Sequence, residues 1–334
     1  MEPHHGPIRW GIWATGRIAD AFAEAFPLVG PDADARIVAV GSRRADTAAA
    51  FAAAHGIDRA HGSRRALADD PDVDVVYVAS LHPDHVNATT TFLEAGKHVL
   101  CEKPLALNAA EADRMIGAAR ANDRFLMEAL WTRFNPVHVA AYDRIDKGAI
   151  GEIRRIRDDF SFALPPGSDD HRLLAREKGG GSLLDLGIYP MTLAWWALGE
   201  PERIEHVGRL AVTGVDDEMA MLCSWPDGAV ALLTCSVAIN GSMTAVIEGT
   251  EGVLEFAAPG HASASATLRR GGEVEEISGE PASLHHQVVE VHRCLREGLV
   301  ESPRMPWATS RAVLARFDAI RAELGVAYPG EESD

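Results

Sequence analysis

Short apolar runs alternate with stretches of helical spacing through the first third of the chain. The run at 73–80 has the composition of a strand that is buried on both faces. Such strands occur in parallel sheets whose two faces are covered by helices. The pattern predicts βαβ units and a parallel sheet that is covered by helices on both faces. The predicted strands are 9–14, 37–41, 73–80, 98–102 and 125–129, and the predicted helices are 16–26, 46–55, 84–95 and 109–121.

After residue 131 the strands become longer and alternate between polar and apolar residues. The turn sequences at 226–228 (Pro-Asp-Gly) and 250–252 (Thr-Glu-Gly) are typical of hairpins. We therefore expect a second α/β domain with a mainly antiparallel sheet, and we divide the chain into domains 1–129 and 130–334. The predicted strands are 153–162, 203–213, 218–225, 229–239, 243–249 and 252–257, followed by helices at 284–297 and 309–324.

Composition narrows the function classes. The 334 residues carry a formal charge of −17, which disfavours nucleic acids and anionic membranes as partners. The first residues lack the basic end and apolar core of a signal peptide, and no apolar run is long enough to cross a bilayer. We expect a cytoplasmic protein. The four cysteines are scattered, so neither a disulfide nor a metal site is expected.

The segment Ala14-Thr15-Gly16-Arg17-Ile18-Ala19, called the fingerprint here, lies between the first predicted strand and helix. It has the spacing of a dinucleotide-binding turn, with alanine at the first and last glycine positions. A helix amino terminus supplies free amides for a phosphate. The alternative is an ordinary turn of small residues.

Ser42-Arg43-Arg44 follows the second predicted strand, where NAD sites carry an acid for the ribose 2′-hydroxyl. Guanidinium groups bind a 2′-phosphate instead, so NADP is favoured over NAD. The alternative is a solvated basic pair. His82, Asp84 and His85 follow the third predicted strand; a metal site there would lack a nearby fourth ligand, so contact with the nicotinamide end is favoured.

Glu102-Lys103-Pro104 ends an apolar strand run. A lysine at the carboxyl end of a parallel strand suggests chemistry, although solvated strand ends also carry charge. Farther on, Asp185 and Tyr189 follow three glycines, and a helix that begins at Ser182 would place both on one face. A nearby cation would stabilise the phenolate and make the tyrosine a proton carrier; the alternative is a structural pair in the core.

The fingerprint, Glu102-Lys103-Pro104 and the Gly-Gly-Gly…Asp185-x-x-x-Tyr189 segment together resemble the Gfo/Idh/MocA family of nicotinamide-dependent oxidoreductases. The segment 127–134, Met-Glu-Ala-Leu-Trp-Thr-Arg-Phe, is similar to the branch of that family with dihydrodiol and NADP-dependent D-xylose dehydrogenases. The resemblance spans nearly the whole chain. It implies an α/β fold in which an NADP-binding N-terminal Rossmann domain has a doubly wound parallel sheet. It also implies a C-terminal α/β domain for substrate binding, with a large open, mainly antiparallel sheet through which the chain dimerises.

The resemblance also implies roles for individual residues. Tyr189 transfers the proton, Lys103 lies in the active site before a cis proline, and Asp185 orients the substrate or the lysine. The alanines at 14 and 19 depart from the family pattern and bear on cofactor affinity. Cofactor contacts are expected from Ala14, Thr15, Gly16, Arg17, Ile18, Ser42, Arg43, Arg44, Ser80, Leu81, His82, His85, Glu102, Lys103 and Arg133, and substrate contacts from Trp131, Phe160, Phe162 and His171.

The expected activity is hydride transfer between NADP and a hydroxyl of an aldose, an anhydrosugar or a trans-dihydrodiol. One alternative is reduction of a keto sugar or dicarbonyl with NADPH. Another is a non-catalytic NADP-binding regulator on the same fold, since a fold does not fix a function. The expected partners are a small-molecule substrate and a second copy of the chain, as a dimer or a dimer of dimers.

Overall fold

The computed structural model describes residues 1–30, 33–280 and 283–331. These residues form two compact units. The first contains 1–131 and 283–314, and the second contains 132–280 and 315–331. The assignment of NADP binding to residues 1–129 and of substrate binding to residues 130–334 stays a prediction.

The first unit is built on a parallel sheet with the strand order β3-β2-β1-β4-β5-β6 among the described residues. This is the order of a dinucleotide-binding fold, and it confirms the predicted doubly wound sheet. Four of its strands carry the predicted site residues at their carboxyl ends. The strands are β1 (Ile8–Trp13), β2 (Ala35–Gly41), β3 (Arg59–His61), β4 (Val75–Val78), β5 (His98–Glu102) and β6 (Leu126–Ala129).

Helices connect these strands. The predicted helix at 109–121 has the predicted bounds, and the Asn108 side chain caps it by accepting a hydrogen bond from the Glu111 amide at 2.8 Å. The strand β3 and the helix after it are not in the prediction, because three and five residues are too few to show a period. The helices are α1 (Arg17–Ala25), α2 (Ala45–His55), α3 (Arg64–Ala68), α4 (His85–Glu94) and α5 (Ala109–Ala121).

The second unit is built on an eight-stranded sheet, in the order β14-β13-β12-β11-β7-β10-β9-β8 among the described residues. Its pairs are antiparallel except for β7 with β10, which agrees with the expected mainly antiparallel sheet. The last two strands were not predicted. The strands are β7 (Ile153–Ser161), β8 (Arg203–Leu210), β9 (Asp216–Ser224), β10 (Val230–Ser236), β11 (Ala245–Gly249), β12 (Gly252–Phe256), β13 (Ser265–Arg270) and β14 (Glu273–Ser278).

Two helices of the second unit differ from the prediction, because the first was not predicted and the second was expected to begin at Ser182. One begins at Pro136 and the other at Ile188. The second of these is apolar along nearly all of its length and buried over eight consecutive residues, so its sequence carries no amphipathic period. The remaining helices are α6 (Pro136–Asp146), α7 (Ile188–Leu198), α8 (His285–Arg296) and α9 (Trp307–Leu324).

Within the described ranges, no helix is both long enough and apolar enough to cross a membrane. The side chains of Cys101, Cys223, Cys235 and Cys294 are buried, and burial raises the pKa of each thiol above its ordinary value. They pack as small apolar residues, as the sequence suggests.

Candidate active site

The fingerprint forms the tight turn from β1 into α1. Ala14 has a φ of +85°, in the left-handed region, and its amide donates to the Gly41 carbonyl at 2.9 Å. Gly16 is the residue before the first turn of α1; it is exposed, and a Cβ there would meet nothing within 4 Å. Open space therefore lies beside the free amides of the helix, as a pyrophosphate requires. Ala19 is buried within α1.

Arg43 and Arg44, the basic pair after β2, differ in their contacts. The Arg44 guanidinium is bonded to the Asp46 carboxylate, with Nε at 3.0 Å from Oδ1. Arg43 is exposed and makes no hydrogen bond or ion pair to another described residue. The Ser42 and Thr47 hydroxyls form a hydrogen bond at 2.7 Å. Of the two guanidinium groups, that of Arg43 remains available for a 2′-phosphate.

Asp84 joins the ends of β1 and α3. One carboxylate oxygen accepts from Trp13 Nε1 at 2.9 Å, and the other binds the Arg64 guanidinium, which lies 5.4 Å from the centre of the Trp13 ring. The sequence suggested that Asp84 caps or begins a helix. It precedes α4, but its side chain makes no capping bond because both oxygens are occupied by these donors. Neither Arg64 nor Trp13 carries a sequence signal for this role.

His85 is fully buried at the start of α4. Nδ1 lies 2.9 Å from the Pro104 carbonyl and Nε2 lies 3.0 Å from the Ser80 carbonyl. Burial lowers the pKa of His85 to about 4. The imidazole thus links the loop after β4 to the loop after β5, and its contact with a cofactor stays a prediction. His82 is also buried, with its ring centre 5.6 Å from that of His85, while Leu81 is exposed.

Glu102 and Lys103 end β5. The Tyr77 hydroxyl donates to Glu102 Oε1, and the amide of Lys103 donates to Oε2 at 3.2 Å. Lys103 is half-buried, and the peptide bond between Lys103 and Pro104 is cis, as the resemblance implies. The carboxylate is therefore held by the neighbouring strand.

A second buried acid supports the same loop. Glu128 in β6 accepts from the Leu105 amide at 2.9 Å and from the Ser310 side chain. Burial raises the pKa of Glu128, whereas Lys103 and these donors oppose the rise. Glu128 lies within the segment 127–134, and no role was predicted for it.

In the second unit, the predicted helix start at Ser182 has a different local structure. Residues Leu183–Gly187 form a π-helical turn, and α7 begins at Ile188. Ser182 does not cap it; its hydroxyl donates to Asp216 Oδ2 at 2.7 Å, and the Leu183 amide donates to the same oxygen. A π-turn adds one residue to each hydrogen-bonded ring, so α-helical spacing does not apply between Asp185 and Tyr189.

Asp185 and the glycines before it are held by side chains from other segments of the second unit. Asp185 is buried and forms an ion pair with Arg172, with Nη1 at 3.0 Å from Oδ2. The hydroxyl of Tyr328 donates to the Gly180 carbonyl at 2.6 Å. Burial raises the pKa of both Asp216 and Tyr328. The prediction contained neither Arg172 nor Asp216.

Tyr189 lies in an aromatic cluster. Its ring centre is 5.2 Å from that of Phe160, edge to face, and 5.1 Å from that of His261. The Phe160 and His261 rings are stacked at 3.8 Å, and Phe162 lies 6.0 Å from Phe160. The structure therefore groups three predicted residues with one, His261, that no sequence signal marked.

The other predicted substrate contacts lie apart in the chain. His171 is exposed, and its Nδ1 accepts from the Leu173 amide at 3.3 Å. Trp131 is half-buried at the start of the 3-10 turn Trp131–Phe134. Arg133, a predicted cofactor contact, places its guanidinium 4.9 Å from the Trp196 ring and 5.6 Å from the Tyr142 ring. The roles of these residues in binding stay predictions.

Comparison with known proteins agrees with this architecture. Residues 8–130 match a family model described as an oxidoreductase family with a NAD-binding Rossmann fold, and residues 138–255 match the GFO/IDH/MocA C-terminal domain. A 3-ketoreductase from Actinomadura kijaniata, solved with NADP and TDP-benzene, is 29% identical, with a TM-score of 0.80 over 95% of this chain and 98% of its own. An aldose-aldose oxidoreductase from Caulobacter crescentus, 24% identical with a TM-score of 0.84 over 96% and 98% of the two chains, shares the fold.

Two curated relatives span almost the whole chain, and both are named trans-1,2-dihydrobenzene-1,2-diol dehydrogenase. The protein from Danio rerio is 37% identical over 96% of this chain and 98% of its own length. The protein from Homo sapiens is 35% identical over 97% and 99%. The chain belongs to the Gfo/Idh/MocA family of nicotinamide-dependent oxidoreductases.

Proposed function

We propose that this chain is an NADP-dependent dehydrogenase that transfers a hydride between a hydroxyl of a sugar or cyclic diol and the nicotinamide. The observation that carries the proposal is the position of Tyr189. It is the second residue of α7, directly after the turn that holds Asp185, and its ring packs against Phe160 and His261. The similarity to trans-dihydrodiol dehydrogenases over nearly the full chain supports the substrate class.

Bound NADP supplies the nicotinamide carbon that accepts or returns the hydride. In the proposed reaction Tyr189 takes the proton of the substrate hydroxyl through its phenolic oxygen and returns it when the reaction runs in reverse. Lys103 binds the substrate oxygen, and its positive charge stabilises the phenolate. Asp185, held by Arg172 and buried, orients the substrate or the lysine.

The preference for NADP rests on the end of β2. An exposed guanidinium at Arg43 favours a 2′-phosphate, and none of Ser42, Arg43 and Arg44 is the acid that a ribose 2′-hydroxyl would need. The related 3-ketoreductase was solved with NADP, which supports the same preference.

Reduction of a keto sugar or dicarbonyl with NADPH is the second candidate. The similarity to the 3-ketoreductase favours it. The same residues serve both directions, because Tyr189 then donates its proton to the carbonyl oxygen.

We also propose that the open sheet pairs with a second copy of the chain. Val207, Leu222 and Leu232 on three neighbouring strands are 77%, 47% and 46% exposed. Leu222 and Leu232 are direct partners in the sheet and so share one face. Exposed apolar side chains on neighbouring strands are typical of an interface. The cytoplasm as location stays a prediction.

The proposed function is tested with purified protein, NADP or NAD, and a panel of D-xylose, D-glucose, anhydrosugars and trans-dihydrodiols. The formation of NADPH is measured by its absorbance. We expect NADPH to form with at least one sugar or dihydrodiol, and we expect a higher kcat/KM with NADP than with NAD. Tight NADPH binding without turnover of any panel member would support the non-catalytic regulator instead.

A further inference from the structure

The short turn Gly260–Ala262 carries His261, and three buried polar side chains hold it. The Thr132 hydroxyl donates to the His261 carbonyl at 2.7 Å, and the Asn135 amide donates to the Ser263 carbonyl at 2.9 Å. His138 Nε2 donates to the Gly260 carbonyl at 2.8 Å. These three donor residues are 3%, 1% and 0% exposed, so the carbonyls of this turn are bonded from inside the unit.

Backbone and hydroxyl bonds hold the turn at its base as well. The Gly260 amide donates to the Met243 carbonyl at 2.7 Å. The Ser263 hydroxyl lies 2.6 Å from the Ala257 carbonyl and 2.7 Å from the Ser265 carbonyl. A turn on the surface ordinarily bonds its carbonyls to water, and side-chain donors at this density fix its backbone. The backbone that carries the His261 ring is therefore fixed by the fold.

The His261 ring contacts the ring of Tyr189, the proposed proton carrier. It is stacked on Phe160 at an interplanar angle of 19° and tilted by 56° against Tyr189. The residue is half-buried. Stacking alone would be served by phenylalanine, whereas an imidazole also brings a hydrogen-bonding edge.

We infer that His261 is a substrate-binding residue that favours polyhydroxylated substrates, with several hydroxyls to bond, over cyclic diols that are otherwise apolar. The inference rests on the proposed function and deepens it. The imidazole edge bonds a hydroxyl of the substrate other than the reacting one, while Phe160 and Tyr189 form the apolar part of the same wall. One net hydrogen bond to an uncharged partner changes affinity by about fivefold to tenfold.

The test compares His261→Phe, His261→Gln and the unsubstituted protein. KM and kcat are measured for D-xylose and for trans-1,2-dihydrobenzene-1,2-diol with saturating NADP. In His261→Phe the stack on Phe160 is kept, so we expect KM for D-xylose to rise about tenfold, kcat to change less than twofold, and KM for the diol to stay constant or fall. His261→Gln restores a polar edge, and we expect its KM for D-xylose to lie between the other two.

Other outcomes separate the inference from the proposed function. An unchanged KM for D-xylose in His261→Phe, or an equal rise for both substrates, would overturn the role of His261 and leave the dehydrogenase proposal standing. If the unsubstituted protein oxidises neither D-xylose nor the diol, the inference falls with the substrate class on which it rests. A thermal unfolding midpoint within about 3 °C of the unsubstituted protein establishes that each variant is folded.

Discussion

Gly181 lies so close to Asp216 that a Cβ on it would stand 2.6 Å from Oδ1 of the carboxylate. The same carboxylate, through Oδ2, accepts from Ser182 and Leu183 at the start of the π-turn. Asp216 therefore takes the place of a helix cap for the segment that carries Asp185 and leads into Tyr189. The geometry of this turn depends on a glycine that leaves room for an acid from β9.

We expect Gly181→Ala to lower the free energy of unfolding by about 2 kcal/mol or more, because it combines a φ of +128° with the clash against Asp216. Gly214→Ala is the matched control. Gly214 has a φ of +81° and open space around its Cα, so we expect a loss of about 1 kcal/mol from backbone strain alone. Equal losses in chemical denaturation would contradict the clash.

The two alanines of the fingerprint are expected to respond to glycine with opposite signs. Ala14 has a left-handed backbone, so Ala14→Gly relieves strain and raises the free energy of unfolding by about 0.5–1 kcal/mol. Ala19 has a helical backbone within α1, so Ala19→Gly lowers it by about 1 kcal/mol. Both changes restore the usual glycine pattern. Denaturant titration of the two variants checks the signs, and two losses of equal size would show that Ala14 is unstrained.

Arg43 and Arg44 are expected to differ in their effect on the cofactor. Arg43→Ala removes the available guanidinium, so KM for NADP should rise at least about tenfold while KM for NAD changes little. Arg44→Ala removes a side chain that is already paired with Asp46, so the rise should be less than about threefold. Steady-state kinetics with both cofactors measures the contrast. A larger rise in KM for NADP in Arg44→Ala than in Arg43→Ala would contradict the assignment of the 2′-phosphate to Arg43.

Stability is expected to fall as the pH falls from about 6.5 to about 4. His98 Nδ1 accepts from the Phe125 amide at 3.0 Å, and His292 Nε2 accepts from Trp10 Nε1 at 2.9 Å. Burial lowers the pKa of both histidines to about 4. Below pH 6.5 the unfolded chain binds protons that the folded chain excludes, so the free energy of unfolding decreases through this window. The stability that these neutral histidines contribute is fully present above the ordinary histidine pKa.

Calorimetry at pH 7.5 and pH 5.0 checks this expectation. We predict that Tm decreases by at least about 5 °C between the two conditions. His292→Gln keeps an acceptor for Trp10 and no longer titrates, so its decrease should be smaller. A Tm that is constant over this range would contradict the neutral state of these buried histidines.

The sheet of the first unit could be predicted because its strands are short, apolar and punctuated by caps. The predicted strand 98–102 and helix 109–121 have the observed bounds. The first unit also has its predicted site residues at the ends of β1, β2, β4 and β5, since a parallel sheet brings those ends to one edge.

In the second unit, contacts between distant segments determine the site. The π-turn at Leu183–Gly187 depends on Asp216, which lies about thirty residues farther along the chain, and no local spacing encodes it. His261 meets Phe160 across about a hundred residues, from a turn whose sequence carries no catalytic motif. Contacts between distant segments fix these side chains, so a pattern read along the chain could not place them.

Tyr189→Phe separates proton transfer by Tyr189 from the packing of its ring. The substitution keeps the ring that packs on Phe160 and His261 and removes only the hydroxyl. Two quantities are measured: the kcat for the best substrate from the panel, and the Kd for NADPH from its fluorescence. We expect kcat to fall at least about 100-fold and the Kd for NADPH to change less than about twofold. Retention of full kcat in Tyr189→Phe would contradict the assignment of proton transfer to this tyrosine.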